Sequence, residues 1–378
     1  MSISVRELQT RQRAMRKIVE DQGLAALILV GDTSTSPGFC GDLRYITNSR
    51  VIYHRQAAVI FPGHEPVLFT LSPRQRDVAR NNSMLEDCRA SDDLLGDITN
   101  LLREQRVSGG CIGLTFDMLP AAWYVRLRQE FPRIEWVDSH HEIMQLRLEH
   151  SPEEAAVYRA GAALADGEYE VALKALRPGA TEYEVVGEIE HYGRTHGVEE
   201  HFTLIGSGRF SLGADNGMAS IAAPSFRNIE KGDSVVMEIT PRYGGYWTQL
   251  VRTVTVGTPN LAIERIHKVA REAINIGVEK VRPGVQVKEI VLAMEPYVAS
   301  SGFLLRPPSG HLCGLDLIEG RVSRENEMVL RPWTAVIIHP LIFTPDGKSS
   351  FFWGETYLVT EDGCNRLHRA TDGLLTVS

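Results

Sequence analysis

The chain of 378 residues is 43% hydrophobic and 23% charged, the balance of a globular protein long enough for two domains with cores of their own. A formal net charge of −8 argues against nonspecific binding to nucleic acid or to an anionic membrane surface. Five scattered cysteines without a CxxC pair argue against a disulfide framework or a zinc knot; with no apolar signal-peptide core and no run that spans a bilayer, a reduced, cytoplasmic protein is expected.

The first predicted element is a charged helix from Val5 to Gln22. Short apolar runs typical of buried strands follow at Leu24–Val30, Ala57–Phe61, Val67–Thr70, Cys111–Thr115 and Ile134–Val137. Amphipathic stretches at Ser91–Gln105 and Ala121–Phe131 separate some of them, which predicts a small mixed domain with helices covering a sheet. A new helix opens at residue 151: Ser151 suits the N-cap, Pro152 the first turn, and Glu154 closes a capping box. The domain boundary is therefore expected within Met144–His150.

Beyond it the chain echoes itself. Arg177-Pro178-Gly179 leads into a helix at Thr181–Thr195, where Thr181 and Glu184 form a second capping box; Arg282-Pro283-Gly284 leads into a helix at Lys288–Ser300. Ser207-Gly208 and Ser309-Gly310 follow in turn, and then strands at Ser234–Glu238 and Tyr246–Val256 in one half, Ala335–His339 and Thr356–Thr360 in the other. Two helix-helix-sheet halves predict a pseudo-twofold domain with a cavity where they meet.

Several phrases here resemble the creatinase/aminopeptidase P/methionine aminopeptidase superfamily. They are Ser151-Pro152-Glu153-Glu154, Leu176-Arg177-Pro178-Gly179-Ala180-Thr181-Glu182, Lys231-Gly232-Asp233, Gly310-His311-Leu312-Cys313-Gly314-Leu315-Asp316 and Val359-Thr360-Glu361-Asp362-Gly363. The resemblance covers essentially the whole chain and is strongest over residues 147–363. It implies an α/β (α+β) chain: a small mixed creatinase/prolidase-like N-terminal domain over residues 1–146, then a pita-bread domain over residues 147–378.

Metal-dependent members hold two divalent ions with two Asp, one His and two Glu, and the bridged water becomes a nucleophile at neutral pH. Carried onto this chain, those positions read Glu238, Gln249, His311, His339 and Gly354, with Glu355 beside the last. Gln249 and Gly354 delete carboxylates, and a one-residue slip that brought in Glu355 would turn a side chain to the other face of the sheet. Two further family histidines are absent: one position falls within Ala214-Asp215-Asn216, the other reads Ile318.

The expectation is a metal-independent, creatinase-like small-molecule enzyme without a cofactor, hydrolysing a C–N bond. Dinuclear metallopeptidase activity is not expected. His311, His339 and Glu238 would move protons, imidazole titrating near neutral pH. Three alternatives stay open: a lyase for a small carboxylated or aromatic substrate, an enzyme with one metal ion held by His311, His339 and Glu238, or a non-catalytic binding protein. Arg321 follows Gly320 as a carboxylate-binding Arg does in creatinase, with a surface ion pair as the competing reading. Gln249, Glu355, Asp215 and Trp353 complete the expected substrate-binding set in the cavity, although core packing competes for the aromatic. Tyr53 and Arg55 join it because the N-terminal domain of dimeric relatives reaches the partner's cavity. A homodimer with a small-molecule substrate is expected, binding neither nucleic acid nor membrane.

Overall fold

The computed structural model describes residues 3–33, 40–51, 54–209, 221–259 and 261–378. Tyr53 and Asp215 lie outside the described residues. The chain divides into two compact units, one ending at Glu149 and the other running from His150 to Ser378.

In the first unit, the strand Leu24–Asp32 opens with an unbroken apolar run to Val30 and is buried along nearly all its length, as a central strand covered on both faces must be. It pairs antiparallel with Arg55–Ile60 on one side and parallel with Gly110–Leu114 on the other. The full order is Cys88–Ala90, Val67–Thr70, Arg55–Ile60, Leu24–Asp32, Gly110–Leu114, Ile134–Asp138, a mixed six-stranded sheet. Ile28, Val59, Phe69 and Ile112 pack with Ile98 and Leu102 of the helix Leu94–Glu104. That helix starts later than the predicted Ser91, because Asp93 accepts the backbone N–H of Gly96 and caps it. The helix Gly41–Thr47 had no sequence signature, since all its residues are buried and it shows no polar stripe.

The second unit carries the helices Pro152–Ala175, Glu182–Thr195, Leu261–Val278 and Lys288–Ser300. Both predicted capping boxes are formed, by Ser151 with Glu154 and by Thr181 with Glu184. The main sheet runs Gly320–Arg321, Gly310–Cys313, Ala335–Ile338, Gly354–Val359, Leu250–Val256, Ser234–Ile239, Leu204–Gly208. Its halves meet between Gly354–Val359 and Leu250–Val256, through only the register pairs Leu250↔Glu355 and Val251↔Gly354. This is the helix-helix-sheet doubling expected of a pita-bread domain. The predicted single strand Tyr246–Val256 is broken into Tyr246–Trp247 and Leu250–Val256. At the break, the Gln249 backbone N–H donates to Thr356 Oγ1. Among the described residues, no helix is long and apolar enough to cross a membrane.

Candidate functional site

Residues opposite one another in a ladder project to the same face, and so do alternate residues of a strand. Glu238 opposes Val251, Val251 opposes Gly354, Thr356 opposes Ile337, and Ile337 opposes His311. One face therefore carries Glu238, Gln249, Gly354, Thr356 and His311. It is the face turned from the helices, because Met237, Ile239 and Leu250, of the other parity, pack with helix residues such as Ala165 and Ile189. His339 follows the strand Ala335–Ile338 and joins this face, its ring centroid 5.2 Å from that of His311 and 4.9 Å from that of Phe352. Glu238 stands across from them, two strand spacings or roughly 10 Å of backbone from Gly354.

Gln249 organises the opposite side. Its amide Nε2 donates to Glu238 Oε1 at 2.7 Å and to Thr240 Oγ1 at 3.1 Å, while its own backbone is bonded to Thr356 Oγ1. Exposure is 8% for Glu238, 0% for Gln249, 5% for His311 and 7% for His339, so all four are desolvated. Burial pushes the Glu238 carboxyl up to about 7. It pushes His311 down to about 4, and His339 down to about 3 with the neighbouring His311 adding to the effect. Near neutral pH both imidazoles are thus neutral, and the carboxyl is the group that changes charge. The expectation that the imidazoles titrate near neutrality is corrected: desolvation disfavours imidazolium and carboxylate alike. The His311 ring faces two backbone carbonyls, Leu312 O at 3.3 Å from Nδ1 and that of Leu317. His339 Nδ1 and Gln249 Oε1 are buried without a hydrogen-bond partner, so both are open to a ligand group.

The other expected residues divide. Arg321 opposes His311 in the register, is exposed, and its guanidinium has no ion-pair partner among the described residues. Glu355 is not on this face. Arg252, Arg366 and Tyr357 hold its carboxylate on the helix side, because the register puts Gly354 where Glu355 was expected as the alternative. Trp353 is likewise on the helix side, edge-on to His267 at 4.7 Å and beneath Arg252 at 4.5 Å. The aromatic beside the imidazoles is Phe352 of the Phe351-Phe352-Trp353 run, not the expected Trp353; the two-residue alternation through Gly354 puts it there. Arg55 belongs to the first unit, where it pairs with Asp32 at 2.7 Å. Thr240 and Thr356 were not anticipated either, and no motif marks them.

Does this face fit the pair of metal ions held by the family it resembles? Gln249 offers a neutral amide and Gly354 offers nothing, and Glu355 is committed to two guanidinium groups. Among the described residues, no three His, Cys, Asp or Glu gather as a metal site, including the set His311, His339 and Glu238 expected for a single ion. The donor set does not fit a two-metal carboxylate centre, which needs several anionic oxygens to neutralise the ions.

The sequence model of metallopeptidase family M24 matches residues 156–361, and that of the creatinase/prolidase N-terminal domain matches residues 11–148. The chain belongs to metallopeptidase family M24. Its relatives include a Xaa-Pro dipeptidase of Pyrococcus furiosus, 29% identical over 252 residues that span 65% of this chain and 69% of the relative. A probable dipeptidase PepE of Mycobacterium tuberculosis is 28% identical over 373 residues, 94% of this chain and 93% of that one. Among solved structures, the prolidase of Pyrococcus horikoshii superposes with a TM-score of 0.84 at 22% identity, over 97% of this chain and 100% of that one. That likeness shows the pita-bread fold.

Membership in M24 overturns the expectation of a metal-independent creatinase-like enzyme. It supports neither the lyase alternative nor the expectation against dinuclear metallopeptidase activity, although the donor set lacks two of the family's carboxylates: the family is one of metallopeptidases, and these relatives carry dipeptidase names. The physical reason is that missing carboxylates describe what a site lacks, whereas a reaction is assigned from the groups that are present.

Proposed function

We propose that this M24 chain is a hydrolase of the Xaa-Pro peptidase type, cleaving the amide bond of a small peptide on the face shared by His311, His339, Glu238 and Gln249. The carrying observation is the pair of buried imidazoles, ring centroids 5.2 Å apart, across from the Glu238–Gln249 hydrogen bond of 2.7 Å. Amide hydrolysis needs a base for the attacking water's proton and an acid for the leaving nitrogen. Glu238, raised to about 7, is the group able to take up and return a proton near neutral pH, while the imidazoles, held neutral, orient water and substrate by hydrogen bonds. The open Gln249 Oε1 suits a substrate N–H, and the Arg321 fork, cross-strand from His311, suits a substrate carboxylate. The reading places the enzyme in the cytoplasm, which its five free thiols support, and treats it as a homodimer.

The test is a panel of Xaa-Pro dipeptides with a divalent ion such as Mn²⁺ supplied throughout, reading release of free proline. Proline release is expected, and His339→Ala should lower turnover by about a hundredfold while the fold survives. A panel without any proline release, or a His339→Ala variant with unchanged turnover, sinks the proposal.

A further inference from the structure

The two sides of the site belong to different halves of the sheet, so their spacing depends on what joins the halves. The sheet itself joins them by two register pairs, reinforced by Thr356 Oγ1 bonded to Gln249 N at 2.9 Å and to Gln249 O at 3.1 Å. His311 stands on neither strand of that joint. It lies on Gly310–Cys313, two strands further out, and a second set of bonds reaches the chain just beyond it. Tyr158, from the helix Pro152–Ala175, donates its hydroxyl to Cys313 O at 2.8 Å. Trp247 N donates to Gly314 O at 3.1 Å, the Cys313 thiol donates to Trp247 O at 3.3 Å, and Arg242 Nη2 donates to Leu315 O at 2.6 Å.

Tyr158 differs from the others in what stands behind it. Its oxygen lies 3.2 Å from His150 Nε2, and His150 Nδ1 lies 2.8 Å from Glu154 Oε1. The Tyr246 hydroxyl donates to that same Glu154 oxygen at 2.7 Å, and Glu154 Oε2 takes the Ser151 backbone N–H at 2.6 Å. The capping box at the start of the unit is therefore also the anchor of a buried polar network that ends on the His311 strand. Full burial raises the Tyr158 hydroxyl well above its ordinary range, so it keeps its proton and remains a donor. A satisfied buried network of this kind fixes one geometry, because every alternative leaves a buried group unpaired.

We infer that Tyr158 is a positioning residue for the proposed hydrolase site: its bond to Cys313 O sets where His311 and His339 stand relative to Glu238 and Gln249. The inference rests on the proposed function for its kinetic consequence and on geometry alone for the rest. The same helix supplies a control, because Tyr169 is also buried and its hydroxyl has no hydrogen-bond partner.

The experiment uses full-length protein carrying ¹⁵N-labelled histidine, with the ring signals of His311 and His339 assigned through His311→Gln and His339→Gln. Tyr158→Phe is expected to move both ring signals and to lower kcat about tenfold with KM little changed, the scale of a small misplacement of reacting groups. Tyr169→Phe should alter neither. Ring signals that stay in place in Tyr158→Phe overturn the inference, and so does an equal response to Tyr169→Phe, which would mark a general packing effect. A wild-type enzyme that releases no proline would defeat the functional reading instead, and the ring signals would still decide this one. Should Tyr158→Phe not fold, Tyr246→Phe loosens the far end of the network; a smaller displacement of the same signals is then required, and its absence refutes the role.

Discussion

At Gly354 there is no room for a side chain. A Cβ there would overlap Ile338 O and His339 Cα and stand 2.5 Å from His339 Cβ. Backbone cannot yield as a flexible side chain can, so Gly354→Ala should destabilise the chain by about 1–3 kcal/mol, the cost of overpacking a filled interior. Gly363→Ala is the control, since its Cβ would meet only Thr360 Oγ1 at 4.0 Å. Urea denaturation that finds the two variants equally stable would refute this account. The crowding also explains His339: the imidazole branches from the backbone that closes off position 354, so a carboxylate at 354 and this placement of His339 exclude each other. The family resemblance pointed to His311, His339, Glu238 and Gln249, and the register puts them on one face. Side-chain direction was not legible in the sequence, as Glu355 and Trp353 show, because direction depends on a register that adjacent strands decide.

The strands that carry these groups should give the protein a distinctive response to acid. His311 and His339 are held below their ordinary value of 6.5, so the stability they contribute is present above about pH 6.5 and is lost as pH falls toward about 4 and 3. Glu238 is raised from 4.5 to about 7, so its contribution is full at low pH and is lost as pH rises toward 7. Two histidines oppose one carboxyl between roughly pH 4.5 and 6.5, each worth at most about 1.4 kcal/mol per pH unit. Relative to wild type, His339→Gln should flatten the rise of stability with pH in this window and Glu238→Gln should steepen it. Denaturation curves at several pH values that run parallel for all three proteins would contradict both assignments. At this scale the sequence was most readable where the signal is local. The capping boxes at Ser151 and Thr181 needed only four residues each, whereas the break after Trp247 exists because Gln249 is bonded to Thr356, far along the chain.

For the whole molecule, a homodimer is the expected outcome. Tyr183 and Phe226 pack together with ring centroids 4.8 Å apart, and Phe226 is 81% exposed, the kind of apolar surface a subunit contact covers. Light scattering at micromolar concentration should give twice the chain mass; a monomer throughout would defeat the expectation. The doubled architecture was legible because the Arg-Pro-Gly phrases repeat in order, but the joint between the doubled parts was not, since it rests on two register pairs and a few side-chain bonds. Those bonds differ widely in the length of chain they close. The Glu238–Gln249 bond spans 11 residues, the Gln249–Thr356 bond 107, and the Tyr158–Cys313 bond 155. Closing a longer loop costs more entropy, and distant pairings form late in folding. The carboxyl and its amide partner can thus come together early, while the imidazoles gain their scaffold only when the remote strands dock. A chain caught partway through folding would hold the Glu238–Gln249 pair without the imidazole pair, and under the proposed function would be inert toward the peptides around it.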